Sequence, residues 1–153
     1  MSSATKHIRH GVGSVRPFLY GHLDMLELVK RAFGAVELEH LTAGSGFHVE
    51  AKIGDSVIVM AVSDPPHPGA RPASIYVYVD DVDAHCMKAR AAGAVITMEL
   101  TTSDHGADYW TDRSYGVIDC GGHHWWFTQR MQTGNPEWSK VRNKVDRSHH
   151  EKT

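Results

Sequence analysis

The chain has 153 residues, 41% of them hydrophobic, and a formal net charge of −2 with histidine neutral. That length fits one compact domain, or two half-size modules sharing a core. The lack of a basic stripe argues against a nucleic-acid partner. No apolar run reaches the roughly 18 residues of a membrane span, and two cysteines do not make a secreted disulfide framework, so a cytoplasmic protein with free thiols is expected.

Residues 1–13 read as a flexible, polar N-terminus in which His7 and His10 are solvated. A domain follows over 14–131. Its first module, 14–64, opens with a strand at Val15–Tyr20. Met25, Leu28, Val29 and Ala32 then recur at helical spacing, which predicts a helix over Asp24–Phe33. Asp24 is the expected N-cap, its carboxylate accepting first-turn N–H groups, and Gly34 the expected stop. Strands fit Val36–Leu41, Phe47–Ile53 and Ser56–Val62, with glycine-rich turns between them.

The linker, 65–72, is rich in proline and favours extended backbone. The second module, 73–131, repeats the order: a strand at Ile75–Val79, then a helix over Val82–Ala92 capped by Asp81 and ended by Gly93. Val82, Cys86 and Ala89 form the apolar stripe of that helix. Strands follow near Val95–Leu100, Tyr109–Ile118 and His124–Gln129. Residues 132–153 read as a disordered polar tail, with Trp138 docking its start. The repeat is literal. Arg31-Ala32-Phe33-Gly34-Ala35-Val36 and Leu41-Thr42 return 59 residues later as Arg90-Ala91-Ala92-Gly93-Ala94-Val95 and Leu100-Thr101, identical at seven of twelve aligned positions. Two copies of a β-α-β-β-β unit, an α+β fold, can close their sheets into a shared concave surface with the helices outside.

Strand parity then assigns faces. Phe47, Val49, Ala51 and Ile53 should meet the helices, leaving His48, Glu50 and Lys52 toward the cavity or solvent. His48 and Glu50 can serve as acid and base, as metal ligands, or as a salt-linked pair. Ser74, Tyr76 and Tyr78 should share the concave face. Trp126 belongs there too, with His124 near the mouth, while Trp125 and Phe127 enter the core. Tyr115 and Trp110 complete an aromatic lining suited to a flat or amphipathic small molecule, unless the rings simply fill the space. Arg113 reads either as an anion clamp for a ligand carboxylate or as a salt-bridge partner. Cys120 is a poor nucleophile, because Asp119 beside it opposes the thiolate.

Lys30-Arg31-Ala32-Phe33-Gly34-Ala35, His48-Val49-Glu50, Gly54-Asp55-Ser56, Tyr78-Val79-Asp80-Asp81-Val82-Asp83-Ala84, Asp112-Arg113 and Gly122-His123-His124-Trp125-Trp126 stand in an order and spacing that resemble the vicinal oxygen chelate superfamily. This is the glyoxalase, bleomycin-resistance and extradiol-dioxygenase group, and the closest likeness is to bacterial glyoxalase-like proteins. The pattern departs in places: Leu28-Val29 replaces an aromatic pair, Asp119-Cys120 replaces Asp-Pro, and Thr111 precedes Asp112 where glycine is common. The resemblance implies a homodimer. It also implies a divalent metal held by His, Gln or Glu on the first and last strands of each module. Those positions fall here at Val15, Ile58 or Val59, Ser74 and Trp126, and none is a good donor. The expectation is therefore a metal-free binder of a small organic molecule. The alternative is a divergent lyase or isomerase that uses His48 and Glu50, with or without a divalent metal.

Overall fold

The computed structural model describes residues 7–68, 71–104 and 111–131. The first module comprises β1 (Phe18–Gly21), α1 (Asp24–Phe33), β2 (Val36–Ala43), β3 (Gly46–Ile53) and β4 (Ser56–Ser63). The second comprises β5 (Ser74–Tyr78), α2 (Val82–Ala91), β6 (Val95–Asp104), β7 (Thr111–Ile118) and β8 (His124–Arg130). Each module has its own four-stranded sheet, ordered β1-β4-β3-β2 and β5-β8-β7-β6. In both, the first strand runs parallel to the last and the remaining pairs are antiparallel.

The helices form where the apolar spacing places them. Met25, Val29 and Ala32 on α1, and Val82, Cys86 and Ala89 on α2, are buried against one face of the sheets. Of these, the larger Met25, Val29 and Val82, fully buried, each contribute about 1.5–3 kcal/mol. Asp81 caps α2, its Oδ1 accepting from the Ala84 N–H at 3.0 Å. Asp24 does not cap α1. Leu23 already has helical backbone, and the imidazole and carbonyl of His22 take the first N–H groups, Asp24 N–H to Nδ1 at 3.2 Å and Met25 N–H to the carbonyl at 3.0 Å. Gly34 and Gly93 stop the helices at φ of 70° and 86°, a region costly for residues with a Cβ.

Two predicted boundaries move at the N-terminus. The first strand begins at Phe18 instead of Val15, because the Arg16 guanidinium gathers the carbonyls of Arg9, Val12 and Gly13 into a compact turn. Residues 7–13 are not free either: Arg9–Gly11 forms a single 3-10 turn whose side chains are ion-paired to the first sheet. Residues 1–6, and the predicted tail at 132–153 with Trp138, lie outside the described residues.

The modules are joined through their core. α1 and α2 pack on each other, and the Phe33 ring lies 4.8 Å from Trp125 and 4.7 Å from Phe127 across the junction. A polar clasp adds direction. His123, 1% exposed, donates from Nε2 to the Tyr20 carbonyl (2.8 Å) and accepts at Nδ1 from the Ala73 N–H (3.0 Å). The turn that presents it is organised by Asp119. Its Oδ1 accepts from Gly121 and His123 N–H, and its Oδ2 from the Trp125 indole N–H at 2.9 Å. Position 121 must be glycine, since a Cβ there would stand 2.6 Å from the Tyr20 carbonyl oxygen.

Candidate functional site

The helices cover one face of each sheet, and the candidate sites lie on the opposite, helix-free faces. On the second sheet, the register Ser74↔His124, Tyr76↔Trp126 and Tyr78↔Thr128 puts all six residues on that face, as parity predicts for Ser74, Tyr76, Tyr78, His124 and Trp126. Ile75, Val77, Trp125 and Phe127 turn to the helices. Tyr76 and Tyr78 are 54% and 71% exposed, with ring centroids 5.3 Å apart. His124 lies 4.3 Å from the Trp126 ring, and its Nε2 is 2.7 Å from Thr97 Oγ1.

Strand β7 adds residues that sequence reading missed. Gly116 stands opposite Trp126 and lets the indole lie against the strand; a Cβ there would be 3.1 Å from the ring. Ser114 hydrogen-bonds Thr128 at 2.9 Å, on the same face as Tyr76. Burial is the first cause that raises the Tyr76 pKa above its ordinary value, with the Asp112 and Tyr78 charges adding to it and the nearby Thr128 hydroxyl opposing. The residues of β7 could have been found only with its pairing partner known.

That register overturns two expected lining residues. Tyr115 pairs with Phe127, so it faces the helices and is fully buried. Its hydroxyl bonds His85 Nδ1 on α2 at 2.6 Å, and desolvation pushes the phenol well above its ordinary pKa while lowering that of His85. Arg113 shares the face of Tyr115. Its guanidinium makes a two-pronged bond to Asp83 on α2, both contacts 2.9 Å, so it ties helix to sheet on the side away from the aromatic face. Trp110 lies outside the described residues.

On the first sheet, β3 alternates as predicted. Val49 and Ala51 are buried under the helices, and His48 and Glu50 take the other face. Their closest approach, His48 Nε2 to Glu50 Oε1, is 3.9 Å, too long for a hydrogen bond. Glu50 is instead engaged by residues from the N-terminus: Arg16 Nη1 and His10 Nε2, each 2.9 Å from Oε2. Glu39 stands beside Glu50 on β2 and pairs with Arg9. One ligating atom each of His10, Glu39 and Glu50 lies within 4.8 Å of the others. Sequence reading placed His10 in solvent and passed over Glu39, because contacts across 30 or 40 residues leave no local trace.

The positions where the resemblance implies metal ligands divide between the two faces of the sheets. Val59 pairs with both Phe18 and Glu50, and so shares the helix-free face, as Ser74 and Trp126 do on theirs. Ile58 is buried on the helix side, and Val15 precedes β1 at 89% exposure. Indole and aliphatic side chains offer no lone pair, and a neutral serine hydroxyl is a weak donor, so the set does not fit a divalent ion. Cys120 is likewise unsuited to attack. Partial burial first, then the Asp119 charge, raises its thiol pKa. A cleft of about 400 Å³ runs between the modules, walled by Tyr76 and Tyr78 on one side and by Val15, Pro17 and Asp55 on the other.

Comparison with known proteins agrees with this architecture. The family model described as Glyoxalase/Bleomycin resistance protein/Dioxygenase superfamily matches residues 24–127. An uncharacterized protein of Mycobacterium bovis is 29% identical over 141 residues, with 80% of this chain and 89% of the relative covered. Among solved structures, TioX from Micromonospora sp. ML1 superposes with a TM-score of 0.62 at 27% identity, covering 76% of this chain and 96% of its own. TnmS3, an antibiotic binding protein from Streptomyces sp. CB03234, gives 0.58 at 16% identity, covering 78% and 97%. The tandem modules, their order and these matches together show that the chain belongs to the glyoxalase/bleomycin resistance/dioxygenase superfamily.

Proposed function

We propose that this protein binds a small, flat organic molecule against the aromatic helix-free face of its second module, acts as a homodimer, and works without the divalent ion of its catalytic relatives. The observation that carries the reading is the exposure of Tyr76 and Tyr78 beside Trp126, on a face with hydroxyls and an imidazole at its edges. Aromatic surface of this kind gains from stacking a planar ligand, and the polar tips orient it. The fold admits such use, since an antibiotic binding protein is built on it. The donor-poor side chains at the family's metal positions favour binding over metal-assisted turnover. The alternative, acid–base chemistry by His48 and Glu50, draws less support because Glu50 is held by Arg16 and His10.

Exposed apolar residues on both helix-free faces, including Phe18, Leu41, Tyr76 and Ile118, give a second copy something to cover. No helix among the described residues is long and apolar enough to cross a membrane, and Cys86 and Cys120 are free, which is the basis for a cytoplasmic reading. The test is a screen of planar aromatic compounds by tryptophan fluorescence quenching, with sedimentation to establish the dimer. Trp126→Ala should weaken the best binder at least about tenfold, roughly 1.4 kcal/mol, while keeping the melting transition. Unchanged affinity in Trp126→Ala rejects the site, and a monomer at binding concentrations rejects the dimer.

A further inference from the structure

We infer that the helix-free face of the first module is an acidic subsite for an organic cation, and that residues 7–17 of the same chain occupy it as an intramolecular stand-in for that ligand. The inference rests on the proposed role of the helix-free faces in ligand binding, and it names the chemical class. Glu39 and Glu50 are paired neighbours on β2 and β3, with side chains only 12% and 7% exposed. Two carboxylates side by side and out of water are stable only if cations meet them. The guanidinium groups that meet them, Arg9 and Arg16, come from the arm, as does the His10 imidazole; the sheet itself offers the His48 imidazole, 3.9 Å from Glu50.

The arm is attached much as a ligand would be. A backbone bond joins it to the sheet at its root, where the Val59 N–H donates to the Pro17 carbonyl at 2.9 Å. Elsewhere its hold on the sheet is through charged side chains. Val12 and Val15 are 39% and 89% exposed, so apolar burial contributes little there. His10 sits at φ 61°, a left-handed conformation uncommon for a residue with a Cβ. Such a segment opens at low cost. Glu39 Oε2 is buried and accepts no hydrogen bond; His10 Nε2 faces it at 3.7 Å, beyond hydrogen-bond range, so a closer N–H donor can still be accepted there. Phe18, with Tyr20 at 4.7 Å and His48 at 6.2 Å between ring centroids, supplies an aromatic rim over which a cation is favoured. An amidine, guanidine or protonated amine attached to an apolar body meets both requirements.

The test uses the full chain and two matched probes, the aromatic cation 4-aminobenzamidine and its neutral counterpart 4-aminobenzamide. The cation should bind at least tenfold more tightly than the amide. Arg9→Ala/His10→Ala, which loosens the arm, should tighten the cation further by about tenfold. Glu39→Gln, a conservative change, should remove most of the preference for charge. Saturation with 4-aminobenzamidine should also speed thermolysin cutting before Val12, because the arm is displaced. Equal binding of the two probes, no gain in the arm variant, or unchanged cutting before Val12 each overturns the inference. If Trp126→Ala abolishes probe binding while Glu39→Gln changes nothing, the aromatic site stands and the acidic subsite falls.

Discussion

Asp119→Asn swaps one oxygen for an amide nitrogen at a point where three donors converge. The carboxylate is 6% exposed; Oδ1 accepts from the Gly121 N–H at 2.8 Å and the His123 N–H at 3.0 Å, and Oδ2 from the Trp125 indole at 2.9 Å. Asparagine keeps one oxygen, which can continue to serve the two backbone donors. Its amide then points N–H groups at the indole N–H. One charge-assisted bond is lost, worth about 1.5–3 kcal/mol, and a fully buried indole donor is left unsatisfied. The expected cost is about 2–4 kcal/mol. The clean measurement is a double-mutant cycle with Trp125→Phe, which removes the donor. Urea unfolding followed by far-ultraviolet circular dichroism avoids the altered tryptophan signal, and equal m-values confirm a common transition. The coupling energy should be about 1.5–3 kcal/mol. A value below about 0.5 kcal/mol would refute the reasoning, since additive changes mean that the carboxylate and indole do not depend on each other.

The remaining expectations concern residues on the helix side of the second sheet. Burial lowers the folded-state pKa of His85 below its ordinary value of 6.5. The unfolded chain therefore binds the proton first, and His85 costs stability as pH falls below that value but has no effect well above it. The urea midpoint should drop between pH 7.5 and pH 5.0, and His85→Gln should flatten that drop; an equal slope in the variant contradicts the assignment. Arg113→Ala should loosen the attachment of α2 to its sheet and slightly lower the melting temperature, while leaving affinity for an aromatic ligand within twofold by titration calorimetry. A tenfold loss would return Arg113 to the ligand site.

Much of this was readable in the chain. Helix spacing located α1 and α2, the β3 alternation separated Val49 and Ala51 from His48 and Glu50, and β5 parity placed Tyr76 and Tyr78 together. These are properties of a residue and its near neighbours, so local periodicity carries them. The side on which Tyr115 and Arg113 fall is not such a property. It follows from the pairing of Gly116 with Trp126, and a strand slipped by one residue would turn every side chain over. Nor does composition show that His10 and Arg16 cross to Glu50, or that His123 reaches back to Tyr20. Those contacts join distant parts of the chain through single polar atoms, and only the packed three-dimensional arrangement brings the atoms within bonding distance.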